Sequence, residues 1–234
     1  MNNQSKKIGS IVLYFIIAIS LRYYVTVTKP NFLLELHPYL KALLWGIGPL
    51  IAGLVVVKFL KRPNFLKLFS LGFWQTIAIV ALPMLLFSLV GLLETGTLYL
   101  NAPKIVGVLI LYALFEEYGW RGYLQSELSE LKKIYKYLII TILWFIWHLN
   151  FELSLNNLLF FIILFVGSCG IGYLADRSKS LVICALFHSF NNIFQDNQLG
   201  AIQLNYTIII IVISALFAIF VMRSKNKKVV VIPI

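Results

Sequence analysis

Two carboxylates and a guanidinium, Glu116, Glu117 and Arg121, sit in and just after an apolar run that opens near Ile105. A charge at mid-bilayer costs ~2.5–3.5 kcal/mol on insertion scales, so chains keep one there where it has work to do. Glu117 and Arg121 stand four apart, share a helical face and can pair. Glu116 is rotated one residue away and is left free. A desolvated, unpaired carboxylate is what a general base needs. Counting ~1.5 Å per residue from Pro103 puts Glu116 about 20 Å into the hydrocarbon and Arg121 near the inner interface. A solvated helix end therefore accounts for Arg121 better than for Glu116. Gly119 and Gly122 would let a second backbone or a substrate come close.

Two later runs carry the remaining strongly polar side chains. One reads Leu143-Trp144-Phe145-Ile146-Trp147-His148, with Trp144 one turn before His148 on the same face. The other reads Leu186-Phe187-His188-Ser189-Phe190-Asn191-Asn192, with His188 and Asn192 four apart. Taken singly, His148 among tryptophans reads as a packed residue. His188 with two asparagines reads as interhelical glue, worth ~0.6 kcal/mol per bond. Taken together the reading is sharper. Glu116, His148, His188 and Asn192 come from three helices and reach similar depths, and buried polar groups must find partners. A Glu and a His within reach of one water make a general-base pair. Asn192 and His188 can donate to a developing oxyanion. That is equipment for amide hydrolysis. Ser189 lies alongside without the pairing of an activated nucleophile.

The elements that must carry these residues are membrane helices. Of 234 residues, 60% are hydrophobic and 12% charged, against about half and about a quarter in a soluble domain. Apolar segments recur near residues 8–27, 39–60, 71–93, 104–122, 136–151, 156–174, 181–195 and 205–222. Each approaches the length needed for ~30 Å of hydrocarbon, the fifth and seventh being short. The spacing predicts an all-α polytopic membrane protein in the cell membrane. It has eight transmembrane helices in a single transmembrane domain over 1–234, with a motif-bearing core at about 104–195. With the N-terminus inside, sixteen of the twenty Lys and Arg fall on inner segments, and Arg22, Lys29, Lys41 and Lys104 on outer ends. That places both termini in the cytoplasm. The net charge of +11 is thus topological and calls for no nucleic-acid partner.

Smaller features follow the same logic. Lys6 and Lys7 before the first run resemble a signal peptide. The run is long enough to span, so an uncleaved helix is expected. Pro30, Pro38, Pro63 and Pro103 punctuate helix starts, and Pro49 and Pro83 kink spans. Gly167, Ser168, Gly170 and Gly172 read as a small-residue helix contact. Ser126 to Tyr137 reads as a charged cytoplasmic connector. Cys169 and Cys184 sit in apolar runs as packing residues.

At these residues the chain resembles the CPBP family of intramembrane proteases, which includes the CAAX prenyl proteases and bacterial Abi-type proteins. The shared motifs are Glu116-Glu117 with Arg121, an aromatic four before His148, and His188 with Asn192, in the family's order. Trp144 stands where the family usually has Phe, a change expected to alter packing more than chemistry. The resemblance implies a glutamate-dependent endopeptidase acting on a membrane-associated or lipidated peptide or protein. Glu116 and His148 would activate water, His188 and Asn192 would stabilise the oxyanion, and Arg121 would support the site through Glu117. Family members are also described as metalloproteases. Zinc held by Glu116, His148 and His188 satisfies ligand type and number, but the His-Glu-x-x-His zinc helix is absent. The preferred expectation requires no cofactor. Two other functions compete. One is a non-catalytic partner-binding regulator or bacteriocin self-immunity protein. The other is an ion-coupled transporter, which the lack of an internal repeat disfavours.

Overall fold

The computed structural model describes residues 3–195, 199 and 202–227. Every apolar segment forms a helix. α1 spans Asn3–Tyr23 and widens into a π-helical turn, Tyr24–Thr28. A short α2 (Phe32–Glu35) leads to α3 (Pro38–Lys58), then α4 (Phe73–Thr95) and α5 (Ala102–Glu117). α5 continues without a break as a second π-helical stretch, Tyr118–Leu124, and the short α6, Gln125–Glu127. α7 (Lys133–Trp147), α8 (Leu155–Ser178), α9 (Leu181–Gln195) and α10 (Leu204–Lys227) complete the bundle.

Five of these helices are long and apolar enough to cross a membrane: α1 with its π turn, α3, α4, α8 and α10. α5, α7 and α9 are shorter, at 16, 15 and 15 residues. α9 is also enclosed, with Leu181 through Leu186 all buried. The long helices present large apolar side chains outward, among them Ile16, Leu85 and Val166. That is the expected surface of a protein solvated by lipid rather than water. The molecule is a multi-pass membrane protein.

Among the described residues, packing divides the interior into two large apolar clusters and a small third. One joins α4, α5, α9 and α10 around Phe87, Val106, Ala113, Ile183 and Leu186. The other joins α1, α3, the second π stretch and α7 around Tyr14, Ala52, Trp120 and Trp147. α5 belongs to the first and its π-helical continuation to the second, so the chain crosses from one to the other at Glu116 and Glu117.

Close approach at this crossing depends on small residues of α3 and the π stretch. A Cβ on Gly48 would lie 2.6 Å from the Ala18 carbonyl oxygen of α1. One on Gly119 would lie 2.5 Å from the carbonyl oxygen of Pro49. The small-residue contact expected on α8 is only partly there. Gly172 packs against the Tyr137 ring, but Gly167 and Gly170 face open space. Both line a groove instead. Pro49 and Pro83 lie inside helices, and Pro38 and Pro103 sit in first turns, as expected. Pro63 does not start a helix; it lies in the loop ten residues before α4. Cys169 and Cys184 are free thiols, and Cys184 packs with Ile171 and Ala175.

Charged side chains tie one end of the bundle. Lys7 of α1 pairs with Glu130 at 3.1 Å. Arg62 pairs through two bonds with buried Glu127. Lys136 and the Tyr137 hydroxyl both reach Asp176 Oδ2 at 3.1 Å. The connector from Ser126 is thus partly an interior piece, with Ser126 and Glu127 buried. At the same end, Ser70, Ser178 and Arg223 of α10 line a shared cavity.

Candidate active site

The site begins with the change of helix pitch after Glu117. In the π stretch the Gln125 N–H bonds back to the Trp120 carbonyl, five residues away. Such widened turns recur at functional sites because they re-aim side chains within a helix. Here the wide turn buries Trp120, Arg121, Tyr123 and Leu124 together. Gly119 lets α3 lie directly on it at Pro49.

Glu117 is a shared acceptor. Arg121 Nε donates to its Oε2 at 3.0 Å, with both side chains fully buried. His188 Nδ1 lies 2.8 Å from its Oε1. A carboxylate only accepts, so the hydrogen sits on His188 Nδ1. The order Arg121, Glu117, His188 fixes the imidazole of α9 from α5 and its continuation. The pairing of Glu117 with Arg121 follows the sequence spacing; His188 on Glu117 adds a third member.

Glu116 is held differently. The Trp144 indole Nε1–H donates to its Oε2 at 2.9 Å. Its Oε1 is buried with no hydrogen-bond partner. His188, Tyr112, Arg22 and Glu117 are other polar groups close enough to act on it. The expectation that Trp in place of Phe changes packing more than chemistry is therefore corrected. Phe has no N–H, and here that N–H holds the carboxylate.

His148 caps α7. Its Nδ1 lies 2.8 Å from the Trp144 carbonyl oxygen, again an acceptor, so Nδ1 carries hydrogen and Nε2 keeps its lone pair. Its ring packs against Phe160 and Trp147 at centroid distances of 4.9 and 5.2 Å. The Trp144 ring separates the two histidines, 6.1 Å from His148 and 5.1 Å from His188. Asn192 has a buried Nδ2 without a partner, a donor held in reserve. Its neighbour Asn191, rather than Asn192, lines the groove beside His188.

The structure thus gathers Glu116, Glu117, Arg121 and His188 with the Trp144 ring, and hangs His148 from the same tryptophan. Three contributors escaped the sequence reading. Trp144 was read as packing. Tyr112 sits one turn before Glu116 and could have been found by spacing. Arg22 was placed at an outer end of the first span. There its guanidinium lies 4.4 Å over the Trp147 ring and donates to the Trp45 carbonyl at 3.2 Å. Nothing near Arg22 in sequence announces that partner.

Glu116, His148 and His188, the set considered for zinc, are not drawn together in this arrangement. Among the described residues no three His, Cys, Asp or Glu side chains stand where one ion could hold them.

A groove of about 600 Å³ leads to the site from the side of the bundle. Its walls are Ile163, Val166, Gly167 and Gly170 of α8 with Phe187 of α9, and its inner end is Trp144 and His188. Among the described residues no Asp, Glu, Lys or Arg lines it.

Comparison with known proteins gives a family match over part of the chain. Residues 98–194 match the family described as type II CAAX prenyl endopeptidase Rce1-like. The matched stretch runs from just before α5 to the end of α9 and contains all six motif residues. No curated protein matches the chain.

Proposed function

We propose that this chain, a member of the CPBP/CAAX protease family through residues 98–194, is an intramembrane endopeptidase that hydrolyses a peptide bond in a membrane-associated or lipidated peptide or protein. One observation carries the reading. Glu116 is buried with one carboxylate oxygen fixed by Trp144 and the other free.

A water on Glu116 Oε1 would pass its proton to that oxygen or to His148 Nε2 as its own oxygen bonds to the scissile carbonyl carbon. The carbonyl oxygen would then carry the charge. Asn192 Nδ2–H is one donor for it, and protonated His188, held by Nδ1 on Glu117, offers Nε2–H as another. Collapse of this intermediate re-forms the carbonyl and breaks the C–N bond, and the departing amine takes the proton back. Arg121 does not touch the reacting atoms; it fixes Glu117 and through it His188. The groove between α8 and α9 would admit the apolar part of the substrate.

The test is cleavage of a lipidated peptide by the full chain in vesicles. Glu116→Ala and His148→Ala should each abolish cleavage with unchanged amounts of protein in the membrane. If both variants retain full function, hydrolysis at this site is wrong and a binding role takes its place.

A further inference from the structure

A second cavity, of about 490 Å³, lies at the charged end of the bundle, apart from the groove. Five cationic side chains line it, Arg121, Lys132, Lys133, Lys136 and Lys179, against one carboxylate, Asp176. That carboxylate is already engaged. Lys136 Nζ and the Tyr137 hydroxyl hold one oxygen, and Gln125 Nε2 donates to the other at 2.8 Å. Lys132, Lys133 and Lys179 are exposed and make no ion pair among the described residues. Arg121 is 1% exposed, and its Nη1 and Nη2 are buried without a hydrogen-bond partner. The cavity also meets the start of α7, where Lys132 gives the first N–H groups no side-chain cap. Uncapped N–H groups at a helix start favour an anion. Among the described residues, the charge of this cavity is therefore unanswered.

We infer that the cavity holds the phosphate headgroup of an anionic phospholipid, gripped by Lys132, Lys133 and Lys179 over Arg121. The rim decides between a lipid and a soluble phosphate. Phe65 and Leu131 line the same cavity and are 54% and 38% exposed. A free phosphate has no use for an apolar rim, whereas a lipid brings acyl chains to it. Basic pockets between membrane helices take anionic headgroups for this reason. The inference does not rest on the proposed hydrolysis.

The full chain is reconstituted in vesicles of phosphatidylcholine and phosphatidylglycerol in equal amounts, then extracted, and retained lipid is counted by native mass spectrometry. Retained phosphatidylglycerol should exceed phosphatidylcholine by about tenfold or more. Each of Lys132→Gln, Lys133→Gln and Lys179→Gln should lower that ratio by about fivefold, the weight of one lysine at an anionic surface. Melting of each variant in detergent should match the unsubstituted chain, since these side chains make no ion pair among the described residues. Equal retention of the two lipids overturns the inference, as does a triple variant that melts normally and keeps the same ratio. Glycerol phosphate without acyl chains should not displace the lipid; if it does so at equal concentration, the ligand is a soluble phosphate and the lipid assignment fails.

Discussion

The Trp144 indole N–H donates to Glu116 Oε2 at 2.9 Å, across 28 residues and between two helices. It holds one carboxylate oxygen, while Oε1 is buried without a hydrogen-bond partner. The free oxygen is thereby aimed by the fixed one. Trp144 also spaces the two histidines, so one side chain sets both the base and its neighbours.

Trp144→Phe separates those tasks, because the ring stays and the donor goes. A hydrogen bond to a charged group contributes ~1.5–3 kcal/mol. The variant should melt several degrees lower in detergent and cleave more slowly, with kcat falling more than KM rises. Thermal melting and steady-state kinetics on one preparation check this.

Glu117 and Glu116 should behave in opposite ways. Glu117→Gln strands Arg121 in a fully buried position, and breaking such a pair costs ~3–5 kcal/mol. Protein yield and melting temperature should drop sharply. Glu116→Gln breaks no ion pair, and its amide oxygen still accepts from Trp144. It should fold like the unsubstituted chain and fail to cleave. Equal melting of the two variants would contradict the shared-acceptor geometry.

Glycines on the two sides of the site should differ as their surroundings do. Gly119→Ala drives a methyl into Pro49 and Tyr14, and overpacking of that kind costs ~1–3 kcal/mol. Gly170→Ala meets open space and should leave melting unchanged. Gly170→Leu should also fold, yet raise KM for a lipidated peptide by narrowing the groove. Melting curves with KM on tailed and untailed peptides separate these effects.

Chelation addresses the metal directly. Cleavage should persist after prolonged treatment with a strong zinc chelator, with metal per protein well below one by elemental analysis. Loss of activity restored by zinc alone would require Glu116, His148 and His188 to converge more closely than they do here.

Topology can be read with reporters. Lys7 meets Glu130, and Arg223 shares a cavity with Ser178, at the same charged end. Fusions at either terminus should therefore report the same compartment, the cytoplasm by the distribution of Lys and Arg.

The sequence alone determined what helix pitch and transfer energy can decide. The apolar runs set the helices, and their hydrophobicity set lipid as the solvent. The interval between Glu117 and Arg121 set their pairing, because residues four apart on one helix are neighbours wherever that helix goes. The rarity of polar groups in those runs singled out Glu116, His148, His188 and Asn192. Tertiary structure decided which of them meet. His188 went to Glu117 rather than acting only with Asn192, Glu116 went to an indole, and Arg22 came in over Trp147. Gly167 and Gly170 opened a groove where a packed contact was expected. Such outcomes depend on how each helix is rotated and how deep it sits. In a soluble protein an amphipathic stripe marks the inward face, but here lipid-facing and protein-facing positions are both apolar, so the pattern leaves rotation unmarked. Only packing, set by small residues such as Gly48 and Gly119, fixes it.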